Sequence, residues 1–281
     1  SCKLTQHAYH NNKFLSETYK AQLLIKIVSY LIKFNKPKKK NAIDYYMYMK
    51  VKKELDSAAA DKSISMVVLS GTGDFYCSGN ELGNNLDIDQ ELLFESVTNF
   101  IKAIILFPKL LVAVVNGPAV GIAATTLPFC DFVYASEKAY FYTPFTKLGL
   151  VAEACSTINF PRLMGDRLAT KMLMLNYKMP AQEALKCGLV TEVYKLEELE
   201  TKAWENIENI LNLPLDSLLT TKKLVRRPLL QQYLETNEIE MQEVKRLVQS
   251  KHEPYEYLYI SYCYRVNWLA CASPSCKRVL N

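Results

Sequence analysis

Two glycine-containing turns are the segments of this sequence best suited to chemistry, because each follows an apolar stretch and could expose a backbone amide. The first turn spans residues 75–82 (FYCSGNEL), where Gly79 permits close approach to a ligand and Asn80 could direct its N–H into a cavity. The second spans 116–123 (NGPAVGIA) and leads into a predicted helix, whose first amides lack intrahelical partners. Two amides aimed at one point would form an oxyanion hole, which lowers a barrier by about 3–4 kcal/mol per donor. Either turn alone is more often a plain connection.

Apolar strands alternate with helices along the chain that carries these turns. The segments 64–70 (ISMVVLS) and 110–115 (LLVAVV) are almost wholly apolar, which is typical of parallel strands covered on both faces. This alternation predicts an α/β core with a parallel sheet and a helical C-terminal region. The predicted strands are 25–34, 64–70, 110–115, 131–135, 139–142 and 190–193, and the predicted helices are 42–55, 92–107, 119–126, 157–163, 166–175, 180–187 and the region from Leu196 onward.

The composition argues against several classes of function. The chain has 281 residues, of which 49% are hydrophobic and 22% charged, and a net charge of +5. Basic and acidic residues are interspersed except at 36–40, which is either a solvated turn or a phosphate contact, so no nucleic-acid partner is expected. No apolar run reaches the roughly 18 residues of a membrane span. Irregularly spaced cysteines and three histidines complete no zinc pattern, so we expect free thiols and no metal site.

Several stretches occur together in an order that resembles a known superfamily. They are FNKPKKKNAI, VVLSGTGDFYCSGNEL, LLVAVVNGPAVGIA, CDFVYASEKAYFYTPFTKLGLVAEACS, FPRLMG and MPAQEALKCGLVTEVY, over about residues 25–200. They resemble the crotonase, or enoyl-CoA hydratase/isomerase, superfamily, and SGNEL with LGLVAEACS is most similar to its peroxisomal-type delta(3),delta(2)-enoyl-CoA isomerases. The resemblance implies a crotonase-like spiral of ββα units and a homotrimer or dimer of trimers. It also implies an acyl-CoA thioester substrate, of which coenzyme A is a part, no separate cofactor, and a peroxisomal or mitochondrial location.

The resemblance assigns roles to individual residues. The oxyanion amides would be those of Asn80 and Ile122. Family hydratases use two glutamates, at the positions held here by Thr125 and Phe145, so hydration is not expected. The remaining carboxylate, Glu153, corresponds to the isomerase base that moves a proton from the α-carbon to the γ-carbon of the enoyl group. Its apolar neighbours should raise its pKa into a useful range.

The segment around Glu153 leaves two points open. Glu153 has an alternative interpretation as a helix-entry glutamate near Ser156, where the helix dipole favours a negative charge. Ala154 stands where these isomerases usually carry glycine. If the backbone there requires a positive φ, alanine would strain the loop and displace Glu153.

The resemblance also indicates where the substrate would bind. The predicted substrate-binding residues are Lys39, Asn41, Ala42, Ser78, Gly79, Asn80, Glu81, Leu82 and Gly121. An acyl pocket is predicted near Leu86, Phe94 and Val97, for which ordinary core packing is the alternative. The chain would divide into a lead-in at 1–20, the crotonase-like core at 21–200, a helical region at 201–250 and a tail at 251–281 that departs from the family pattern. The last three residues, VLN, are not a Ser-Lys-Leu peroxisomal signal, and no presequence is recognised.

These observations lead to one preferred function and two alternatives. The preferred function is an isomerase that shifts the double bond of a 3-enoyl-CoA to give 2-trans-enoyl-CoA in fatty acid β-oxidation. The first alternative is a non-catalytic acyl-CoA-binding or scaffold protein with the same fold. The second is thioester hydrolysis, in which Glu153 would activate water.

Overall fold

The apolar strands form a five-stranded, fully parallel sheet in the computed structural model of the chain, which describes residues 28–81 and 88–250. The strands are β1 (Val28–Phe34), β2 (Ile64–Gly71), β3 (Leu110–Val115), β4 (Ala119–Val120), β5 (Phe132–Ser136), β6 (Tyr140–Tyr142), β7 (Met179–Pro180) and β8 (Glu192–Tyr194). The large sheet has the order β1-β2-β3-β5-β8, with Val68 aligned to Val112 and Val112 to Phe132. The predictions for 1–20, Leu82, Leu86 and 251–281 lie outside the described residues.

A second sheet of three short strands lies beside the second turn. Its order is β4-β6-β7, in which β6 runs parallel to β4 and antiparallel to β7. The helix predicted at 119–126 is therefore wrong in its first part, because Ala119 and Val120 pair with β6 and the helix starts at Ile122. Backbone pairing across the chain overrides the small-residue pattern that suggested a helix.

Helices cover both faces of the large sheet. They are α1 (Tyr45–Ala60), α2 (Gln90–Leu106), α3 (Ile122–Thr125), α4 (Ser156–Leu173), α5 (Ala181–Lys186), α6 (Leu196–Leu211), α7 (Leu215–Arg226) and α8 (Leu230–Gln249). Alternate residues of a strand point to opposite faces. Val67 and Leu69 accordingly join the core under α1 and α2, whereas Met66 and Val68 pack with Ala203 of α6 on the other face.

Two helix boundaries differ from prediction for local reasons. The helix predicted at 42–55 starts at Tyr45, because the Asp44 side chain accepts the Met47 N–H at 2.8 Å and caps the first turn. The helices predicted at 157–163 and 166–175 join into α4, which is broken in the middle by Gly165 with a non-helical φ of 76°. From Leu196 the chain is helical, and α8 packs along α2.

Candidate active site

The first turn is bonded to residues 40–43 in a way that leaves the Asn80 amide unpaired. Ile43 N–H donates to the Gly79 carbonyl at 2.8 Å, and Glu81 N–H donates to the Ile43 carbonyl at 2.8 Å. In a parallel bridge of this kind, Ile43 bonds to the residues on either side of Asn80 and not to Asn80 itself. The N–H of Asn80 therefore points away from Ile43. Within residues 28–81 and 88–250, no acceptor pairs with this N–H. The Tyr48 hydroxyl donates to Asn80 Oδ1 and holds the side chain.

The second turn leaves the amide of Ile122 unpaired. Gly121 has φ 56° and ψ −126°, a conformation open mainly to glycine, and its N–H donates to the Tyr142 carbonyl at 2.8 Å. The Gly121 carbonyl accepts the N–H groups of Ala124 and Thr125. Ile122 is therefore the first residue of α3, where an amide has no partner inside the helix. No acceptor for it occurs in the described part of the chain.

The two turns lie directly against each other. Cys77 N–H donates to the Pro118 carbonyl at 3.2 Å, and Val120 N–H donates to the Cys77 carbonyl at 3.0 Å. Gly79 has φ 86°, and a Cβ at this position would lie 2.8 Å from the Val120 carbonyl oxygen and 3.8 Å from Gly121 Cα. The structure thus brings together the two predicted turns and their unpaired amides, and it explains why only glycine fits at 79.

Glu153 is a buried carboxylate in the loop before α4. Its side chain is 4% exposed. Burial, and second the negative charge of Glu240, raise its pKa from 4.5 to about 8, in the direction expected from its apolar neighbours. Among the described residues, none donates a hydrogen bond to its carboxylate. A carboxyl with a pKa near the working pH can both accept and return a proton.

The backbone after Glu153 adopts the strained conformation anticipated for glycine. Ala154 has φ 56° and Cys155 has φ 57°, so two consecutive non-glycine residues are left-handed. Each such residue costs about 1–2 kcal/mol. The Ser156 hydroxyl donates to the Glu153 carbonyl at 2.7 Å. The Cys155 N–H donates to the carboxylate of Glu240 in α8 at 2.6 Å.

Glu240 is the main residue of this region that sequence reasoning missed. It is 5% exposed and also accepts the Thr157 N–H at 3.1 Å and the Thr157 hydroxyl at 2.5 Å. Burial raises its pKa to about 7, opposed by these hydrogen bonds. No signal in the sequence marks it, because it is one of several glutamates in a polar helix and its partners lie more than eighty positions earlier.

Two lysines of the basic run 36–40, Lys36 and the predicted coenzyme A residue Lys39, are already paired with carboxylates. Lys39, whose side chain is about half exposed, forms an ion pair with Glu81. Lys36 pairs with Asp44 and, at 3.3 Å, with Glu81. Glu81 itself is 7% exposed, so this predicted substrate-binding residue holds the basic loop against the first turn.

Asn41 has a structural role that the sequence did not suggest. Its buried side-chain amide donates to the carbonyls of Thr72 at 3.0 Å and Phe75 at 2.7 Å, and its Oδ1 accepts the Lys36 N–H at 2.9 Å. No side-chain group of Asn41 is then left for coenzyme A. Ala42 is also buried, while Ser78 N–H bonds to the Lys40 carbonyl at 3.0 Å.

Thr125 and Phe145, which the resemblance places at the positions of the hydratase glutamates, are buried and carry no carboxylate. Thr125 is fully buried, and its hydroxyl donates to the Gly121 carbonyl at 3.3 Å. Phe145 is 4% exposed. Neither can activate a water molecule as a carboxylate would.

The two described residues predicted to line an acyl pocket, Phe94 and Val97, pack in the hydrophobic core. Val97 is buried within the main hydrophobic cluster, and Phe94 packs against that cluster. A surface groove of about 330 Å³ lies between α1 and α2, but none of the predicted site residues lines it. We assign this groove no role.

The described cysteines are thiols. Cys77, Cys130, Cys155 and Cys187 are unpaired, and burial raises the pKa of Cys77 and of Cys130 to about 12. Residues 28–81 and 88–250 contain no group of three His, Cys, Asp or Glu side chains placed to hold a metal ion. In the same part of the chain, no helix combines the length and apolarity that crossing a membrane requires.

Comparison with known proteins identifies the family of this chain. Residues 28–258 match the family described as enoyl-CoA hydratase/isomerase. The chain is 43% identical over 202 residues to enoyl-CoA delta isomerase 3, peroxisomal, of Mus musculus, covering 70% of this chain and 63% of that protein. It is 34% identical over 215 residues to testis-specific chromodomain protein Y 1 of Homo sapiens, covering 74% of this chain and 40% of that protein. The chain thus spans less than two thirds of the length of these relatives.

The fold has a close counterpart among solved structures. The crystal structure of an enoyl-CoA hydratase/isomerase from Pseudoalteromonas atlantica T6c superposes with a TM-score of 0.77 at 30% identity, covering 86% of this chain and 95% of that one. This similarity confirms the predicted crotonase-like fold.

Proposed function

Because the chain belongs to the enoyl-CoA hydratase/isomerase family, we propose that it converts a 3-enoyl-CoA thioester into 2-trans-enoyl-CoA, with Glu153 as the base. The observation that carries this proposal is Glu153, a buried carboxylate with a raised pKa and no hydrogen-bond donor among the described residues, in a chain that lacks both hydratase glutamates. Similarity to a delta isomerase at 43% identity supports the same reaction.

In the proposed mechanism, the N–H groups of Asn80 and Ile122 bind the thioester oxygen. Their hydrogen bonds strengthen as the oxygen becomes an enolate, which acidifies the α-carbon proton. Glu153 accepts that proton and forms a carboxylic acid, while the electron pair passes into a conjugated dienolate. Glu153 then returns the proton to the γ-carbon, so the double bond moves and the base is regenerated.

Hydration is disfavoured because the chain lacks the two hydratase glutamates at the proposed site. Addition of water needs one carboxylate to activate the water molecule and a second to exchange a proton with the adjacent carbon. Thr125 and Phe145 supply neither.

We propose that coenzyme A lies along residues 38–42 and the first turn. Its phosphates would approach Lys39, whose ammonium group is now paired with Glu81. Binding would therefore exchange one anionic partner for another, and the affinity should weaken as salt concentration rises.

We further propose self-association, as a homotrimer or dimer of trimers, in a peroxisome or mitochondrion. Self-association would remove from water exposed apolar side chains such as those of Leu224, Val225 and Ile239 on α7 and α8. A peroxisomal location is named for the mouse relative. Light scattering after size-exclusion chromatography would measure the assembly.

A second function is favoured by a specific observation. The chain is similar over 74% of its length to a chromodomain protein, and it carries Ala154 in a left-handed conformation beside the proposed base. A non-catalytic acyl-CoA-binding module would show the same fold and the same turns. This function predicts that the chain binds coenzyme A without turnover.

The deciding experiment measures turnover and binding on the full 281-residue chain. A 3-enoyl-CoA is supplied and the absorbance of the conjugated 2-enoyl thioester is followed, with calorimetry on coenzyme A in parallel. We expect turnover that Glu153→Gln reduces about 10²–10⁴-fold, while the exposed Glu200→Gln leaves it unchanged.

Other outcomes identify the alternatives. Binding without turnover favours the binding module, and release of free coenzyme A, measured with a thiol reagent, favours hydrolysis. If Glu153→Gln turns over at the wild-type rate, the proposed mechanism is wrong.

A further inference from the structure

The loop that carries Glu153 holds a conformation that its own residues do not favour. Ala154 and Cys155 are both left-handed, although neither is glycine. Consecutive left-handed residues persist only when the surrounding structure enforces them. A partner outside the loop must therefore hold this turn.

That partner is the carboxylate of Glu240, which binds the turn at both of its oxygen atoms. Oε2 accepts the Cys155 N–H at 2.6 Å, and Oε1 accepts the Thr157 N–H at 3.1 Å together with the Thr157 hydroxyl. These amides lie at the start of α4, where backbone N–H groups lack helical partners. Glu240 thus caps α4 from a helix 83 to 85 residues further along the chain.

We propose that Glu240 is a positioning residue of the isomerase: it holds the Ala154–Cys155 turn and so sets the orientation of the Glu153 carboxylate. This inference rests on the proposed function of Glu153. Loss of the Glu240 carboxylate would remove the acceptor of the buried Cys155 amide and of the Thr157 amide, and would free the turn to relax. A displacement of about 1 Å at a catalytic group can lower a rate about 10²-fold.

The same contact has an electrostatic consequence. The negative charge of Glu240 disfavours ionisation of Glu153, so its removal should lower the pKa of Glu153. The titratable and charged groups linked electrostatically to this turn include Glu153, Cys155, Tyr233 of α8, Arg162 of α4 and Arg226 of α7. Further along α8, Lys245 forms an ion pair with Glu91 of α2.

The test compares Glu240→Ala and Glu240→Gln with Glu238→Gln, an exposed glutamate of the same helix, all in the full chain. In Glu240→Ala we expect kcat to fall about 10–100-fold with little change in KM, because the base and not the binding surface is displaced. Glu240→Gln keeps one accepting oxygen but loses the charge. The acid limb of its kcat/KM profile should therefore move to lower pH by about 0.5–1. Glu238→Gln should match the wild type in both.

A readout independent of turnover separates this inference from the proposed function. Carbon-13 carboxyl resonances of Glu153, assigned by their absence in Glu153→Gln, are titrated in wild type and in Glu240→Gln. We expect a lower Glu153 pKa in Glu240→Gln and faster amide exchange at Cys155 and Thr157, even if the wild type shows no isomerase activity. The Gln variant, which retains one of the two accepting oxygens, serves if Glu240→Ala does not fold.

Two results would overturn the inference. One is a folded Glu240 variant with wild-type kcat, pH profile, Glu153 titration and amide exchange. The other is a loss of thermal stability alone, with kcat and the titration of Glu153 unchanged at a temperature where the variant is folded.

Discussion

The paired turns and the Glu153 loop are built in opposite ways. At the turns, Gly79 and Gly121 relieve the backbone of strain, and backbone hydrogen bonds between neighbouring segments hold the amides of Asn80 and Ile122. At the Glu153 loop, alanine and cysteine occupy left-handed positions, and a carboxylate from α8 holds them in place. The first region contains its own support, whereas the second depends on a distant helix. Changes in α8 should therefore affect the base and leave the amides intact.

The largest effect should come from a side chain at the contact between the turns. In Gly79→Ala the new Cβ would lie 2.8 Å from the Val120 carbonyl oxygen, in addition to the positive φ. We expect a fall in kcat of about 10²–10³-fold, because the Asn80 amide moves, and a loss of about 2–4 kcal/mol in the free energy of unfolding. Enzyme assays and urea denaturation measure the two quantities.

Gly188→Ala is the matched control for this change. Gly188 has a similar φ of 80°, but a Cβ added there would have no heavy atom within 4 Å. The variant therefore measures the cost of a positive φ without a steric clash. It should lose only about 1 kcal/mol and keep full activity. Equal behaviour of the two variants would show that the contact between the turns is unimportant.

The pH dependence of stability should reveal the cost of ionising the buried Glu153 carboxyl group. The pKa of Glu153 is about 8 in the folded protein, against an ordinary value of 4.5. As the pH rises, the unfolded chain therefore releases this proton at a lower pH than the folded protein does. The contribution of the protonated Glu153 carboxyl to the free energy of unfolding is complete below about pH 4.5. It is lost as the pH rises to about 8. Glu153→Gln should therefore be more stable than wild type at pH 9, by about 2–4 kcal/mol.

Denaturation curves between pH 5 and pH 9 measure this difference. The advantage of Glu153→Gln should vanish near pH 5, and the exposed Glu200→Gln should show no such dependence. An advantage that is the same at every pH would mean that Glu153 is not protonated on folding.

The smallest effect concerns the strain at Ala154. Ala154→Gly relieves the left-handed strain but removes a fully buried methyl group, and the two terms nearly cancel. Ala152→Gly removes a similarly buried methyl group without a positive φ. We expect Ala154→Gly to be more stable than Ala152→Gly by about 1–2 kcal/mol, as measured by urea denaturation. Equal losses in the two variants would mean that the turn stores no strain.

Much of the fold was predictable, because buried parallel strands appear as short apolar runs. The prediction of 110–115 coincides with β3, and 64–70 differs from β2 by one residue. The prediction of a helix from 119 failed because pairing with β6 is a long-range contact that leaves no local pattern. The spiral of ββα units came from the resemblance and not from periodicity.

The candidate site likewise has parts that local sequence shows and parts that depend on long-range contacts. From the sequence by itself, the two glycine turns followed from residue type and local spacing, whereas the absence of hydratase carboxylates and the choice of Glu153 followed from the family resemblance. Only the tertiary structure decided that the turns touch, that Glu81 pairs with Lys36 and Lys39, and that Glu240 binds the turn after Glu153. Those contacts join residues about 40 to 85 positions apart, and only folding in three dimensions brings such residues close enough for their hydrogen bonds and charges to act on one another.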